Sequence, residues 1–129
     1  MRELTFRSMF LLVFIFFVSS CSSEGLDDPL EAKTCIQLVE AGKVVAERVL
    51  AELSDETFVG LEERSDSNEF LIYIAELMRT EDFKNRALNL GCQDGDLKIQ
   101  GCRTYKGIFK EKHGELARQY LAPYFEFCS

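Results

Sequence analysis

The chain contains no tryptophan, a single histidine and no closely spaced pair of cysteines. With His113 as the only imidazole, the sequence indicates no Ser-His or Cys-His dyad. His113 stands beside Gly114 at an expected helix break, which is typical of a surface turn. The absence of a Cys-x-x-Cys pair disfavours a thiol oxidoreductase and a structural zinc site. We therefore expect no catalytic residue, no metal and no cofactor.

Positive charge is also scarce. The chain has 15 Lys and Arg residues against 22 Asp and Glu residues, a formal net charge of −7 at pH 7. Such an acidic protein is repelled by the phosphates of nucleic acids and by anionic lipid headgroups. We therefore expect no nucleic-acid partner, whereas opposite charge would favour a basic protein partner.

The first 20 residues have the anatomy of an export signal. Arg2 and Arg7 precede an uninterrupted apolar run over residues 9–18, and small residues follow it. This run of about ten residues is far shorter than the roughly 20 that a helix needs to cross a bilayer. A permanent transmembrane anchor is therefore the weaker interpretation, and we expect residues 1–20 to be removed.

Val18, Ser19, Ser20 and Cys21 resemble the lipobox of bacterial lipoproteins, in which a branched apolar residue and two small residues precede the cysteine. The resemblance implies that the Cys21 thiol is acylated and becomes the new N-terminus, so that the chain is held to a lipid bilayer. Ser22 replaces the aspartate that is usual for inner-membrane retention, which implies the outer membrane, facing the periplasm. The alternative is an ordinary secretory signal and a secreted protein.

The cysteine count agrees with this interpretation. Five cysteines would leave an odd thiol in an exported protein. If Cys21 is acylated, four remain, the number that makes two disulfides in an oxidising compartment. Of the three possible connectivities we favour Cys35–Cys128, which would tie the two ends of the domain together, with Cys92–Cys102, which would close a short turn.

The rest of the chain predicts an all-α fold. No useful length alternates β-branched and polar residues, whereas apolar residues recur at helical spacing. We expect a small disulfide-stapled bundle of four or five helices over residues 30–129, after a short lipidated tether over residues 21–29. The predicted helices cover residues 30–53, 67–79, 81–90 and 97–112, with a last helix after Gly114; the alternative for residues 67–90 is one kinked helix.

Several local signals set the predicted helix ends. Asp66 and Glu69 resemble a capping box, and Gly91 resembles a C-terminal glycine cap. Asp96 could cap the helix that begins at residue 97. Pro123 is expected to bend or interrupt the last helix.

One segment is a candidate partner-binding surface. Phe58, Val59, Leu61, Glu62 and Glu63 place apolar side chains beside carboxylates between two predicted helices, at the pole opposite the cysteines. Loops of this kind often carry function. A partner with a basic rim and an apolar pocket would be attracted by the carboxylates and held by Phe58. The alternative is that Phe58 and Leu61 cover the end of the bundle.

The aromatic residues of the C-terminal segment could likewise either bind a ligand or pack in the core. Because the chain has eleven phenylalanines and no tryptophan, we expect the aromatics of residues 119–128 to belong to the core rather than to a ligand cage.

The leading functional hypothesis is a non-catalytic lipoprotein that serves the cell envelope as a binding or accessory module. One alternative is an inhibitor of a basic enzyme such as a lysozyme, since opposite charge would speed encounter. Another is a structural component of an envelope complex. An enzyme would require a pocket in which carboxylates converge on Tyr105, Tyr120 or His113.

Overall fold

The structure is a computed structural model that describes residues 26–128. Within this range the chain is all-α, with no strand, and two disulfides staple the bundle, as predicted. The predicted signal segment, Ser22 and the proposed acylation site Cys21 lie outside the described residues. The elements are a 3-10 turn Pro29–Glu31 and the helices α1 Cys35–Leu53, α2 Phe58–Glu63, α3 Ser67–Met78, α4 Thr80–Leu90, α5 Asp94–Thr104, α6 Lys106–Lys110 and α7 Glu115–Cys128.

The first long helix begins later than predicted. Asp28 caps the preceding 3-10 turn by accepting a hydrogen bond from the Leu30 backbone N–H. Thr34 then caps α1, since its hydroxyl accepts from the Gln37 backbone N–H at 3.1 Å. Two successive caps therefore divide a stretch that the periodicity alone assigns to one helix.

The middle pair of helices follows the prediction closely. Arg79 adopts a left-handed conformation, φ 50°, between α3 and α4, and Gly91 adopts φ 68° after α4. Asp66 does stand at the N-cap of α3, but its carboxylate makes no capping hydrogen bond. It accepts from the Arg64 guanidinium instead, at 2.9 Å.

The C-terminal half departs from the prediction at both the division and the start of its first helix. The helix expected over residues 97–112 is divided into α5 and α6, because the chain turns at Tyr105. Asp96 lies in the first turn of α5, whose N-cap is Gln93. Of the two expectations for Pro123, a bend or an interruption, the interruption does not occur, since Pro123 lies inside the continuous helix α7. A proline there removes one backbone hydrogen bond, and the disulfide at Cys128 fixes the turns that follow.

The hydrophobic core lies on the second half of α1. Helices α3, α6 and α7 pack their apolar faces against it, and Val49 is completely buried. The buried residues of this cluster are Val45, Ala46, Val49, Leu50, Leu53, Phe70, Ile74, Ile108, Leu116, Ala117 and Leu121.

The N-terminal edge of the domain lies earlier than residue 30. Asp27 pairs with Arg48, and Asp28 pairs with Arg79 at 3.0 Å. Pro29 is fully buried, and the Arg86 guanidinium donates to the Ala32 carbonyl oxygen. The last residues of the predicted tether therefore pack against the helices.

The disulfide connectivity differs from the favoured one. Cys35 bonds to Cys92, with Cα atoms 5.7 Å apart, and Cys102 bonds to Cys128, with Cα atoms 5.4 Å apart. Because α4 runs back along α1, its end brings Cys92 to the start of α1. The end of α7 instead meets α5, so Cys128 reaches Cys102.

Candidate functional site

An apolar cavity of about 650 Å³ opens between the first half of α1, helices α4 and α5, and the end of α7. Its size is within the range of small-molecule sites, about 300–1,000 Å³. Its lining is mostly hydrophobic and comprises Leu38, Val39, Gly42, Phe83, Lys84, Ala87, Leu88, Cys92, Asp94, Leu97, Lys98, Gly101, Cys102, Tyr105, Tyr124, Phe127 and Cys128.

The cavity lies between two helices, α4 and α5, that both pack against α1. Helices α4 and α5 each pack against α1, but among the described helices they make little contact with each other. The space between their facing sides stays open, with Leu38 and Val39 of α1 buried at its base. The cavity is therefore a product of the helix arrangement and not of one loop.

A glycine on α1 brings Tyr105 across the base of the cavity. A Cβ atom added to Gly42 would lie 2.3 Å from the Tyr105 phenol oxygen. This close approach lets the phenol donate a hydrogen bond to the Val39 carbonyl oxygen at 3.3 Å. Burial raises the pKa of Tyr105 well above its ordinary value of 10.0, so the phenol stays protonated and able to donate.

A second glycine leaves room on the α5 wall. Leu97, Lys98 and Gly101 recur at helical spacing on the side of α5 that lines the cavity, and Tyr105 follows directly after the helix. A Cβ atom added to Gly101 would have no other atom within 4 Å. The absence of a side chain at this position keeps part of the cavity open.

The two disulfides fix the cavity walls. Cys92, at the end of α4, is joined to Cys35 of α1, and Cys102 of α5 is joined to Cys128 of α7. Cys92, Cys102 and Cys128 all line the cavity. The four cysteines thus lie together at one end of the bundle, as expected, but in a pairing that links the walls rather than the chain ends.

The mouth of the cavity carries exposed apolar side chains. Leu88 is 70% exposed and Phe127 is 53% exposed, although both line the cavity. Tyr124, also lining, packs edge-on against Tyr105 with ring centroids 6.2 Å apart. The prediction that the C-terminal aromatics belong to the core is therefore wrong for Tyr124 and Phe127. Both border the cavity because α7 ends at its rim.

Three charged residues line the cavity: Lys84, Lys98 and Asp94. The Lys98 ammonium lies over the Phe127 ring, 4.2 Å from its centroid, in a cation–π contact. Asp94 is the one carboxylate among the described lining residues, so no pair of carboxylates converges on Tyr105. The arrangement suits binding of an apolar group, with a local excess of positive charge.

The predicted partner-binding segment is a short helix rather than a loop. Phe58 is 44% exposed and Val59 is 63% exposed, and Glu62 and Glu63 are exposed on the same helix, α2. Leu61 instead packs against the core cluster. The alternative that both apolar residues cover the end of the bundle thus holds for Leu61 but not for Phe58.

Ion pairs and caps hold this helix in place. Thr57 caps it by accepting from the Gly60 backbone N–H at 3.0 Å. Arg64 pairs with Glu56 before the helix and with Asp66 after it. The exposed face of Phe58 and Val59 is therefore presented from a fixed backbone.

The remaining candidates for chemistry are not brought together. His113 is half-buried, and its Nε2 lies 2.7 Å from the Ile108 carbonyl oxygen, away from the cavity lining. Over residues 26–128, no group of three or more His, Cys, Asp or Glu side chains is placed to hold a metal ion. In that same range no helix is long and apolar enough to cross a membrane.

No protein-family model, curated protein or solved structure matches this chain. The cavity itself was not predicted from the sequence. Its signals were glycines in apolar helical stripes, at Gly42 and Gly101, and an apolar residue at Leu88 that no core contact explains. Such signals become informative only when the helices are placed against each other.

Proposed function

We propose that this protein is a non-catalytic binding protein of the cell envelope, held to a membrane through acylated Cys21, and that its ligand site is the cavity between α1, α4, α5 and α7. The observation that carries the proposal is the open apolar cavity of about 650 Å³ whose walls are joined by both disulfides. Exported proteins commonly keep such disulfides.

Two features support binding rather than catalysis. The lining offers two tyrosines, Tyr124 and Tyr105, of which Tyr105 has its hydroxyl engaged with a backbone carbonyl, and one carboxylate residue, Asp94. General acid–base chemistry usually pairs groups within hydrogen-bond reach of a substrate. The apolar lining, by contrast, supplies the burial that drives association of hydrophobic ligands.

The cavity can be tested with the uncharged fluorescent probe N-phenyl-1-naphthylamine. The oxidised mature chain, beginning at residue 21 and carrying Cys21→Ser, would be used throughout, so that neither the apolar run over residues 9–18 nor an acyl chain on Cys21 competes for the probe. We expect saturable fluorescence enhancement with the parent chain. The variant Gly101→Leu places a side chain in the open space on the α5 wall and should reduce probe binding at least fivefold.

Gly95→Leu is the matched control. Gly95 lies on the same helix, also has no atom within 4 Å of an added Cβ atom, and does not line the cavity. Both substitutions replace a helical glycine, which should favour the helix by up to about 1 kcal/mol. Equal probe binding by the two variants, or no saturable binding by the parent chain, would contradict the proposal.

The anchor is tested by the intact mass of the protein from its own host, before and after reduction. The lipobox resemblance and the pairing of the other four cysteines support an N-terminus at Cys21 that carries acyl chains. We expect a lipidated mass and a gain of four protons on reduction. An unmodified Cys21 thiol would remove the anchor from the proposal and leave the cavity unaffected.

A second candidate function is binding of a basic protein, such as a lysozyme, through α2. The exposed Phe58 and Val59 beside Glu62 and Glu63 favour it. Aromatic anchors within complementary charge are typical of protein interfaces. A salt-sensitive complex with a basic lysozyme, weakened by Phe58→Ala but not by Ile99→Ala on α5, would support it. Unchanged lysozyme activity and no complex at excess protein would reject it.

A further inference from the structure

We infer that the cavity takes a single-chain anionic amphiphile, such as a fatty acid, with its hydrocarbon tail along the apolar walls and its carboxylate at Lys84 and Lys98. The inference rests on the proposed function of the cavity and adds the chemical class of the ligand. It follows from the combination of an apolar interior, an apolar mouth and two lysines among the lining residues.

The net charge of the cavity lining is opposite in sign to that of the whole chain. The whole chain carries −7 at pH 7, yet the lining holds two lysines and one aspartate, a net charge of +1. The ion pairs found within residues 26–128 use other cations, so Lys84 and Lys98 remain available to an anionic group. A local cationic site on an acidic surface complements a small anion.

The position of Lys98 indicates where the anionic group would lie. Its ammonium is held over the Phe127 ring, and Phe127 is half exposed at the mouth of the cavity. Leu88, from the opposite wall, is also exposed there. A tail directed inward over Leu38 and Ala87 would therefore leave its headgroup beside an ammonium and still in contact with water.

A free amphiphile fits better than a bilayer surface. An anionic bilayer would face the whole protein, whose net negative charge opposes approach. A single small anion responds mainly to nearby charges, because ions at physiological salt are screened over about 8 Å. The cavity also has the volume of a small-molecule site rather than the extent of a flat surface.

The test compares dodecanoate with dodecanol, which share a twelve-carbon chain but differ in headgroup charge. Binding would be measured by displacement of the uncharged probe from the same oxidised mature chain carrying Cys21→Ser, below the micelle concentration of dodecanoate and the solubility limit of dodecanol. We expect dodecanoate to bind more tightly than dodecanol. Lys84→Gln with Lys98→Gln should weaken dodecanoate about tenfold, or about 1.4 kcal/mol, and change dodecanol less than twofold.

The control variant Lys106→Gln with Lys110→Gln removes the same charge from exposed positions on α6 outside the cavity. It should leave the affinity for dodecanoate within twofold of the parent chain, and circular dichroism should show both double variants folded. Higher salt should narrow the difference between the two ligands.

The outcomes distinguish the proposed ligand class, an anionic amphiphile, from the proposed function of the cavity as a binding site. Equal affinity for dodecanoate and dodecanol, or an equal effect of the two double variants, would overturn the anionic class while leaving an apolar cavity site. If neither ligand nor the uncharged probe bound, the proposed function would fail as well. Binding to anionic vesicles with no binding of monomeric dodecanoate would also overturn the inference.

Discussion

The two halves of α1 contact very different surroundings. The second half lies in a packed core to which α3, α6 and α7 all contribute buried side chains. The first half supports α4 and α5, two fully described helices without a single fully buried residue, and a cavity lies between them. Both disulfides lie at the cavity end. The comparison teaches that one end of the bundle is closed by a packed core, whereas the other keeps an open cavity and carries both covalent links.

Removing the Cys35–Cys92 disulfide should have the largest effect. The bond closes a loop with a sequence separation of 57 residues, and the chain-entropy account gives about 4 kcal/mol of stabilisation for such a loop. We expect Cys35→Ala with Cys92→Ala to lower the free energy of unfolding by that amount, measured by urea denaturation. A loss below about 1 kcal/mol would show that packing alone holds α4 against α1.

Leu121→Ala tests the packed end. Leu121 is 2% exposed within the core cluster, so truncation should cost about 3 kcal/mol through lost burial and the cavity left behind. Leu88→Ala, at the mouth of the cavity, is the matched control and should cost less than about 0.5 kcal/mol. Similar losses in the two variants, measured by urea denaturation, would remove the difference between the two ends.

Gly114→Ala probes the close contact between the start of α7 and the end of α1. An added Cβ atom would lie 2.3 Å from the Ser54 carbonyl oxygen, so the backbone must shift, at a cost of about 2 kcal/mol. Gly107→Ala, on α6, meets no atom within 4 Å and should stabilise the protein by up to about 1 kcal/mol. Thermal unfolding of the two variants should therefore shift in opposite directions, and a shared direction would count against this contact.

Tyr105→Phe should have the smallest effect, about 1 kcal/mol at neutral pH, through loss of the hydrogen bond to Val39. Its pH dependence is more informative. The unfolded phenol ionises near pH 10, whereas burial raises the pKa of the folded one, so the folded state retains this proton and stability falls as pH rises past 10.

The variant should show a smaller fall in stability between about pH 9 and pH 11 than the parent chain. Burial also raises the pKa of Tyr120, so part of the fall in stability should remain in the variant. Parallel pH profiles for the two proteins would indicate that Tyr105 is as accessible to hydroxide as a phenol in the unfolded chain.

Local signals in the sequence predicted the elements better than their arrangement. The ends of α3 and α4 followed from the phase shift of the apolar residues near Thr80 and from Gly91. These features act within one turn of the chain. The pairing of Cys92 with Cys35 and the opening between α4 and α5 depend instead on which helix packs beside α1.

The candidate sites were also predictable only where they depend on neighbouring residues in the chain. The acidic neighbours marked residues 58–63 as a candidate surface but left open whether Phe58 is exposed or covers the end of the bundle, and the structure exposes it. The sequence did not indicate the cavity, because Gly42, Gly101 and Phe127 are far apart in the chain and meet only through the helix packing. Tyr124 and Phe127 were misassigned to the core for the same reason, whereas Tyr120 does pack against it.

The most direct test of the central claim is an NMR titration of the isotopically labelled, oxidised chain with dodecanoate. We predict backbone amide shifts that saturate and cluster at the residues around the cavity, among them Leu38, Ala87 and Gly101, with the Gly101→Leu variant largely unresponsive. Saturable shifts centred on Phe58 and Val59 of α2, or none at the cavity end, would contradict the assignment of the cavity as the binding site.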